Sequence, residues 1–113
     1  MSPDIPTRQR PLLRGLAASP GTARAVCRTP TELPAEFPKG NVLVVSNFSP
    51  KFFPAMLRAS AVVTDEGGYT CHAAILAREL HIPAVVGTRE ATRVLKQGRT
   101  VIVDGDSGLV FDV

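Results

Sequence analysis

The residues with chemistry to offer are concentrated in one stretch, TDEGGYTCHAAI, residues 64–75. An acidic pair is followed by Gly67 and Gly68, a short polar run, and His72 where a helical pattern begins. Two adjacent glycines permit positive φ and close backbone approach. Thr70 fits an N-cap, and Cys71, His72 and Ala73 then occupy a first turn, where unsatisfied N–H groups and the macrodipole attract an anion such as phosphate. That field disfavours an imidazolium, and a neutral imidazole is a nucleophile. The same N–H groups would stabilise the charge the ring acquires on accepting a phosphoryl group.

Other readings of these residues stay open. A lone histidine in a first turn also occurs as a structural residue, and a glycine pair can be only a tight turn. Cys71 is a second nucleophile candidate, because a thiol at a helix start is activated; a small buried cysteine is the plainer alternative. Cys71, His72 and His81 match no zinc spacing, and adjacent helical residues diverge by about 100°, so no metal site is expected.

The elements that must position this stretch follow from hydrophobic periodicity. VLVVS (42–46), AVVTD (61–65) and PAVVG (83–87) are short apolar, β-branched runs. Between and after them PKFFPAMLRAS (50–60), TCHAAILAREL (70–80) and TREATRVLKQG (88–98) read as helices, the last closed by Gly98. Phe53, Met56, Leu57 and Ser60 share helical spacing in the first. In the second, Ala73, Leu76, Ala77 and Leu80 should face the core, with Arg78 and Glu79 outward. The result is an α/β chain of βαβαβα units with a buried parallel sheet. TVIVDGDSGLVFDV (100–113) reads as a C-terminal hairpin, and LLRGLAASPGTARAVCRT (12–29) as an N-terminal β segment turning at Ser19-Pro20-Gly21. The loop after a strand's carboxyl end faces the crevice where such folds bind ligands, which is where Gly67 to His72 fall.

With 113 residues, of which 44% are hydrophobic and 20% charged, the chain suits one domain. Residues 1–11 read as a flexible lead-in, 12–113 as the domain, and the proline-rich 29–40 as a surface loop. The formal charge of +3 is carried by the front end: residues 1–28 hold five arginines against Asp4, and the remainder is net negative. With one tyrosine and no tryptophan, nucleic-acid binding is not expected. No apolar run suits a membrane span or a secretory signal, and the two cysteines form no disulfide framework, so the cytoplasm is the expected location.

The stretch TDEGGYTCHAAILARELHIPAVVG (64–87) resembles the signature of the phosphohistidine, or swivelling, domain of phosphoenolpyruvate-utilising enzymes, the family of phosphoenolpyruvate synthase and pyruvate phosphate dikinase. Thr64, Gly67, Gly68, Thr70, His72, Ala73, Ala74, Ala77, Arg78, Ile82, Pro83, Ala84 and Gly87 stand in register with it, and the likeness runs from about Gly15 to Val110. The resemblance implies a three-layer β/β/α swivelling fold and a phosphocarrier in which His72 becomes a phosphohistidine on Nε2. It implies Gly67, Gly68, Thr70, Cys71, Ala73 and Arg78 as phosphate-binding or supporting neighbours. It further implies a partner that donates, either of ATP-grasp type or phosphoenolpyruvate-dependent, and another that accepts. ATP or phosphoenolpyruvate with Mg2+ would sit on a partner, since the chain shows no nucleotide loop or magnesium carboxylate set of its own. A swivelling fold serving as an unphosphorylated interaction or regulatory module is the alternative. Three positions depart from the pattern: His81 where glycine is usual, read as a structural helix end; Ala25 after the SPG turn; and NFSPKFF in place of a Thr-Pro approach.

Overall fold

The computed structural model describes residues 10–30 and 37–113. The proposed lead-in, apart from Arg10 and Pro11, and residues 31–36 of the proline-rich loop lie outside them. Three short strands form the centre: β4 (Val42–Val45), β5 (Ala61–Thr64) and β6 (Ala84–Val86), every residue of which is buried. They pair in parallel, Val44 with Val63 and Val63 with Val85. Continuous burial explains why these runs carry no polar alternation: both faces of the sheet are covered.

The two faces have different covers. Leu43, Val45, Val62, Ala84 and Val86 point to one side, where they pack with Met56, Ala59, Ala73, Ala74 and Ala77 of the first two helical segments. Val42, Val44, Ala61, Val63 and Val85 point to the other, against Leu13, Val101, Val103 and Val110 of further strands. The first cover is a layer of helices; the second is a layer of β-structure, with Ala91 and Leu95 packed in beside it. This is the β/β/α arrangement.

The second β layer was hidden in the sequence because one strand serves both layers. β3 (Thr22–Arg28) runs antiparallel to β7 (Thr100–Asp104) through Thr22–Val26, then parallel to β4 through Cys27 and Arg28. β8 (Leu109–Asp112) completes the predicted hairpin with β7. The strand order is β1-β8-β7-β3-β4-β5-β6-β2. Its two ends, β1 (Leu13–Arg14) on β8 and β2 (Leu16–Ser19) on β6, are consecutive in the chain and separated by Gly15 alone. The segment passes from one edge of the sheet to the other, so the edge strands have two and four residues and neither is a long open template. Only glycine fits the crossing: a Cβ on Gly15 would lie 2.5 Å from the Val86 carbonyl oxygen.

Three expectations need correcting. The helix predicted over 50–60 is a 3-10 turn (Pro50–Phe52) followed by α1 (Phe53–Arg58). Its inward residues are Ala55, Met56 and Ala59, while Phe53 and Leu57 are exposed. Pairing of Ser60 N–H to the Asn41 carbonyl and of Gly40 N–H to the Arg58 carbonyl ends it early and sets that phase. The helix predicted over 88–98 shrinks to α3 (Ala91–Val94). Its front is held out of the helix by Thr88 N–H on Thr64 O and by Arg89 N–H on Asp65 O, with Arg89 turned to φ 71°, and its rear is drawn onto β3 by Gly98 N–H on Cys27 O. Within the proline-rich loop, Phe37 is buried and joins the helix-side core, so that loop is anchored at its end.

Candidate functional site

β5 delivers the site loop and α2 (His72–Leu80) receives it. Buried Thr64 ends the strand, its hydroxyl donating to the Glu66 carbonyl at 2.5 Å. Its own carbonyl accepts from Thr88 N–H at 3.1 Å and from the Thr88 hydroxyl at 2.9 Å. Asp65 and Glu66 donate their N–H groups to Val45 and Ser46 at the end of β4. The Asp65 carboxylate accepts from Thr92 N–H at 2.8 Å and from the Thr92 hydroxyl. The loop therefore leaves the carboxyl ends of the parallel strands with its first residues fixed to both neighbouring βα units.

Gly67 makes the turn. Its φ is +117°, and a Cβ there would lie 2.8 Å from Cys71 Sγ. On its other side, a Cβ on Gly87 would lie 2.8 Å from the Gly67 carbonyl oxygen. Gly68 differs from its neighbour: its φ lies outside the positive range, and among the described residues nothing stands within 4 Å of a Cβ built on it. Of the positive φ and close approach that the glycine pair permits, Gly67 uses both and Gly68 neither.

The helix start is also displaced from its expected place. Cys71, extended at φ −70° and ψ 161°, is the N-cap, and His72 is the first helical residue. Thr70 lies outside the cap, exposed in the turn, and among the described residues no side chain caps the helix. The displacement follows from the turn that precedes it, where Cys71 N–H donates to the Gly68 carbonyl at 3.1 Å. The first α-helical bond runs from Ile75 N–H to the Cys71 carbonyl at 3.0 Å. His72, Ala73 and Ala74 thus hold the three N–H groups ahead of that bond.

His72 is exposed, and among the described residues its imidazole has no hydrogen-bond or ionic partner. Ala73, Ala74 and Ala77 are buried against the sheet, which lets α2 lie close to it. Ala74 belongs to that buried face although the predicted stripe omitted it. Cys71 is half-buried and packs against the helix-side core. Arg78, expected to face outward, is exposed but engaged: Nη1 donates to Ala18 O and Nη2 to Tyr69 O, each at 2.7 Å.

His81 stands at the far end of α2 from Cys71 and His72, with φ 58° and ψ 41°. It is a left-handed helix end, with Ile82 N–H reaching back to the Ala77 carbonyl at 3.0 Å. Among the described residues no helix is long and apolar enough to cross a membrane.

Residues 37–108 match the family described as PEP-utilising enzyme, mobile domain. The chain is 52% identical over 104 residues to a protein named probable phosphoenolpyruvate synthase from Archaeoglobus fulgidus, covering 89% of this chain and 14% of that one. It is 53% identical over 103 residues to the phosphoenolpyruvate synthase of Aeropyrum pernix, covering 88% of this chain and 13% of that one. A solution structure of Enzyme I superposes with a TM-score of 0.57 at 39% identity over 65% of this chain and 30% of that one. Aconitase X from Thermococcus kodakaraensis has a TM-score of 0.67 at 20% identity, covering 89% of this chain and 97% of that one, and shares the fold alone. The chain therefore spans about a seventh of the length of the synthases it matches.

Proposed function

The chain belongs to the family of PEP-utilising enzyme mobile domains, and from that premise we propose that it is a phosphocarrier whose acceptor atom is on His72. The observation that carries this reading is the placement of His72. It is an exposed imidazole at the first residue of a helix whose leading N–H groups precede any helical bond.

In the proposed step a ring nitrogen of neutral His72, Nε2 by the family likeness, attacks the phosphorus of the donor. The bond from phosphorus to the donor's leaving group breaks, and its electron pair departs with that group. An N–P bond forms, and the other ring nitrogen keeps its proton. The N–H groups of His72, Ala73 and Ala74 would meet the phosphoryl oxygens, in the way that helix N-termini receive anions. Gly67 supports this by folding the loop under the helix start, and open space around Gly68 leaves room for the phosphoryl group. Thr70 and Cys71 line the turn beside it. Transfer onward repeats the step in reverse, with the acceptor's nucleophile attacking the same phosphorus.

Such a carrier needs a donor and an acceptor. Relatives about seven times as long as this chain, and named as synthases of phosphoenolpyruvate, favour an ATP-grasp-type or phosphoenolpyruvate-dependent donor that holds the nucleotide or phosphoenolpyruvate with Mg2+. The test is incubation with an ATP-dependent donor subunit or with phosphoramidate, followed by intact-mass analysis. The expected result is a gain of one phosphoryl group that is acid-labile, base-stable and absent in His72→Ala. No gain with any of these donors would overturn the carrier reading and leave the fold as an interaction module.

A further inference from the structure

Arg78 lies six residues beyond His72 on α2, about 9 Å further along the axis. Long side chains on a helix point back toward its N-terminus, so the guanidinium returns toward the site it follows. There its two terminal nitrogens each take a backbone carbonyl at 2.7 Å: Nη1 that of Ala18 in β2, Nη2 that of Tyr69, three residues before His72.

The loop between β5 and α2 needs such a hold. Its first residues are fixed, through Asp65 and Glu66, to the end of β4. Beyond them come two glycines and the exposed pair Tyr69 and Thr70, and the helix start carries no side-chain cap among the described residues. Two glycines admit more backbone conformations than any other pair, and beyond Glu66 the backbone bond that closes the turn is Cys71 N–H on Gly68 O, so the stretch that aims His72 gains from a further hold. Arg78 bridges that stretch to β2, the edge strand paired with β6.

Resting on the carrier reading, we infer that Arg78 is a positioning residue for His72, holding the loop by two carbonyls at once, and that it is not a ligand of the phosphoryl group. The planar guanidinium suits this task. It presents its donors in a fixed fork and keeps its charge at every working pH, so the bridge does not depend on protonation. A lysine ammonium keeps the charge as a single compact centre on a flexible stem, without that fork.

The difference between arginine and lysine supplies the test, made on the full chain with two variants. Arg78→Met keeps the stem and removes the donors; Arg78→Lys keeps the charge and removes the fork. Backbone amide order parameters are measured by NMR in each, together with the rate of phosphorylation by phosphoramidate. In both variants the amides of Tyr69, Thr70 and Cys71 should fall from near the rigid value of about 0.85 toward about 0.6, with β4 and β5 unchanged. The phosphorylation rate should drop by about 10-fold to 100-fold, as a misplaced reacting group implies. A full rate in Arg78→Lys would instead make Arg78 an electrostatic ligand and overturn the inference. So would an unchanged loop order in either variant, or a disordered loop with an unchanged rate. Failure of the unaltered chain to accept a phosphoryl group sinks the carrier reading, and the loop order then decides by itself whether Arg78 holds the turn.

Discussion

Gly67 and Cys71 face each other across the turn that begins α2, so closely that a Cβ on Gly67 would stand 2.8 Å from Cys71 Sγ. Backbone and side chain both demand glycine there, since φ is +117°. Gly67→Ala should lower stability by about 1–3 kcal/mol, the usual range for an ordinary residue in a sparsely populated backbone region. Gly68→Ala, at a position without either constraint, should stay within about 0.5 kcal/mol. Urea denaturation of both variants checks this. A double-mutant cycle with Cys71→Ala separates the steric share, which the second substitution should relieve, from the backbone share, which it should not.

His72→Gln tests chemistry apart from fold. The side chain is exposed and without a partner among the described residues, so the substitution should leave stability within about 0.5 kcal/mol while abolishing phosphoryl uptake. Circular dichroism melting and intact-mass analysis on the same sample give both answers. Loss of uptake with a collapsed fold would show that the ring holds the structure instead.

The central strands and α2 could be read from the sequence because their residues answer to local rules. VLVV, AVV and, up to Thr64 at its end, AVVT are apolar since both faces of each strand are covered, and Ala73 and Ala77 mark the buried side of α2 by their spacing. What local rules could not show is set by partners distant in sequence. The N-cap is the exception, a local one: it falls at Cys71 because Gly68 O, three residues back, takes the Cys71 N–H, although Thr70 has the better capping side chain. α3 is short because Thr64, Asp65 and Cys27 hold the backbone on either side of it. Leu57 and Phe53 face solvent because strand-end pairings near Asn41 fix where α1 stops. Arg78 reads as an outward cation by helical phase, and only the return of the chain at Ala18 gives it a target. The histidine itself was legible, since glycine-rich turn, helix start and imidazole lie within a few residues of one another.

The two thiols should behave oppositely. Cys27 is wholly buried, and burial pushes its thiol up from the ordinary 9.0 to about 11, with the Arg99 charge opposing in part. Cys71 is half-buried at the surface of the helix layer. Iodoacetamide near neutral pH should label Cys71 and spare Cys27, as read by peptide mass mapping. For stability, the folded chain keeps the Cys27 proton above the pH at which the unfolded chain releases it. Binding fewer protons when unfolded makes stability fall as pH rises. The loss should run from about 9 to about 11 and vanish in Cys27→Ala, whose pH profile, otherwise parallel, is the control.

His81 offers a gain. It ends α2 in the left-handed region at φ 58° and ψ 41°, a conformation that costs a residue with a Cβ about 1–2 kcal/mol. Glycine removes that cost but is freer in the unfolded chain, which returns about 0.5–1 kcal/mol. The net expectation for His81→Gly is a stabilisation of about 0.5–1 kcal/mol. The bonds that define the helix end, Ile82 N–H to Ala77 O and His81 N–H to Arg78 O, are backbone bonds and survive the change. His81→Val should move the other way, because a β-branched side chain tolerates positive φ least. Urea midpoints with unchanged slopes would establish both signs. Phosphoryl uptake should not respond, since His81 and His72 stand at opposite ends of a helix about 13 Å long. Destabilisation by His81→Gly would mean that the imidazole makes an attachment of its own at the base of α2, and the departure from glycine at this position would then be structural in a stronger sense than a tolerated helix end.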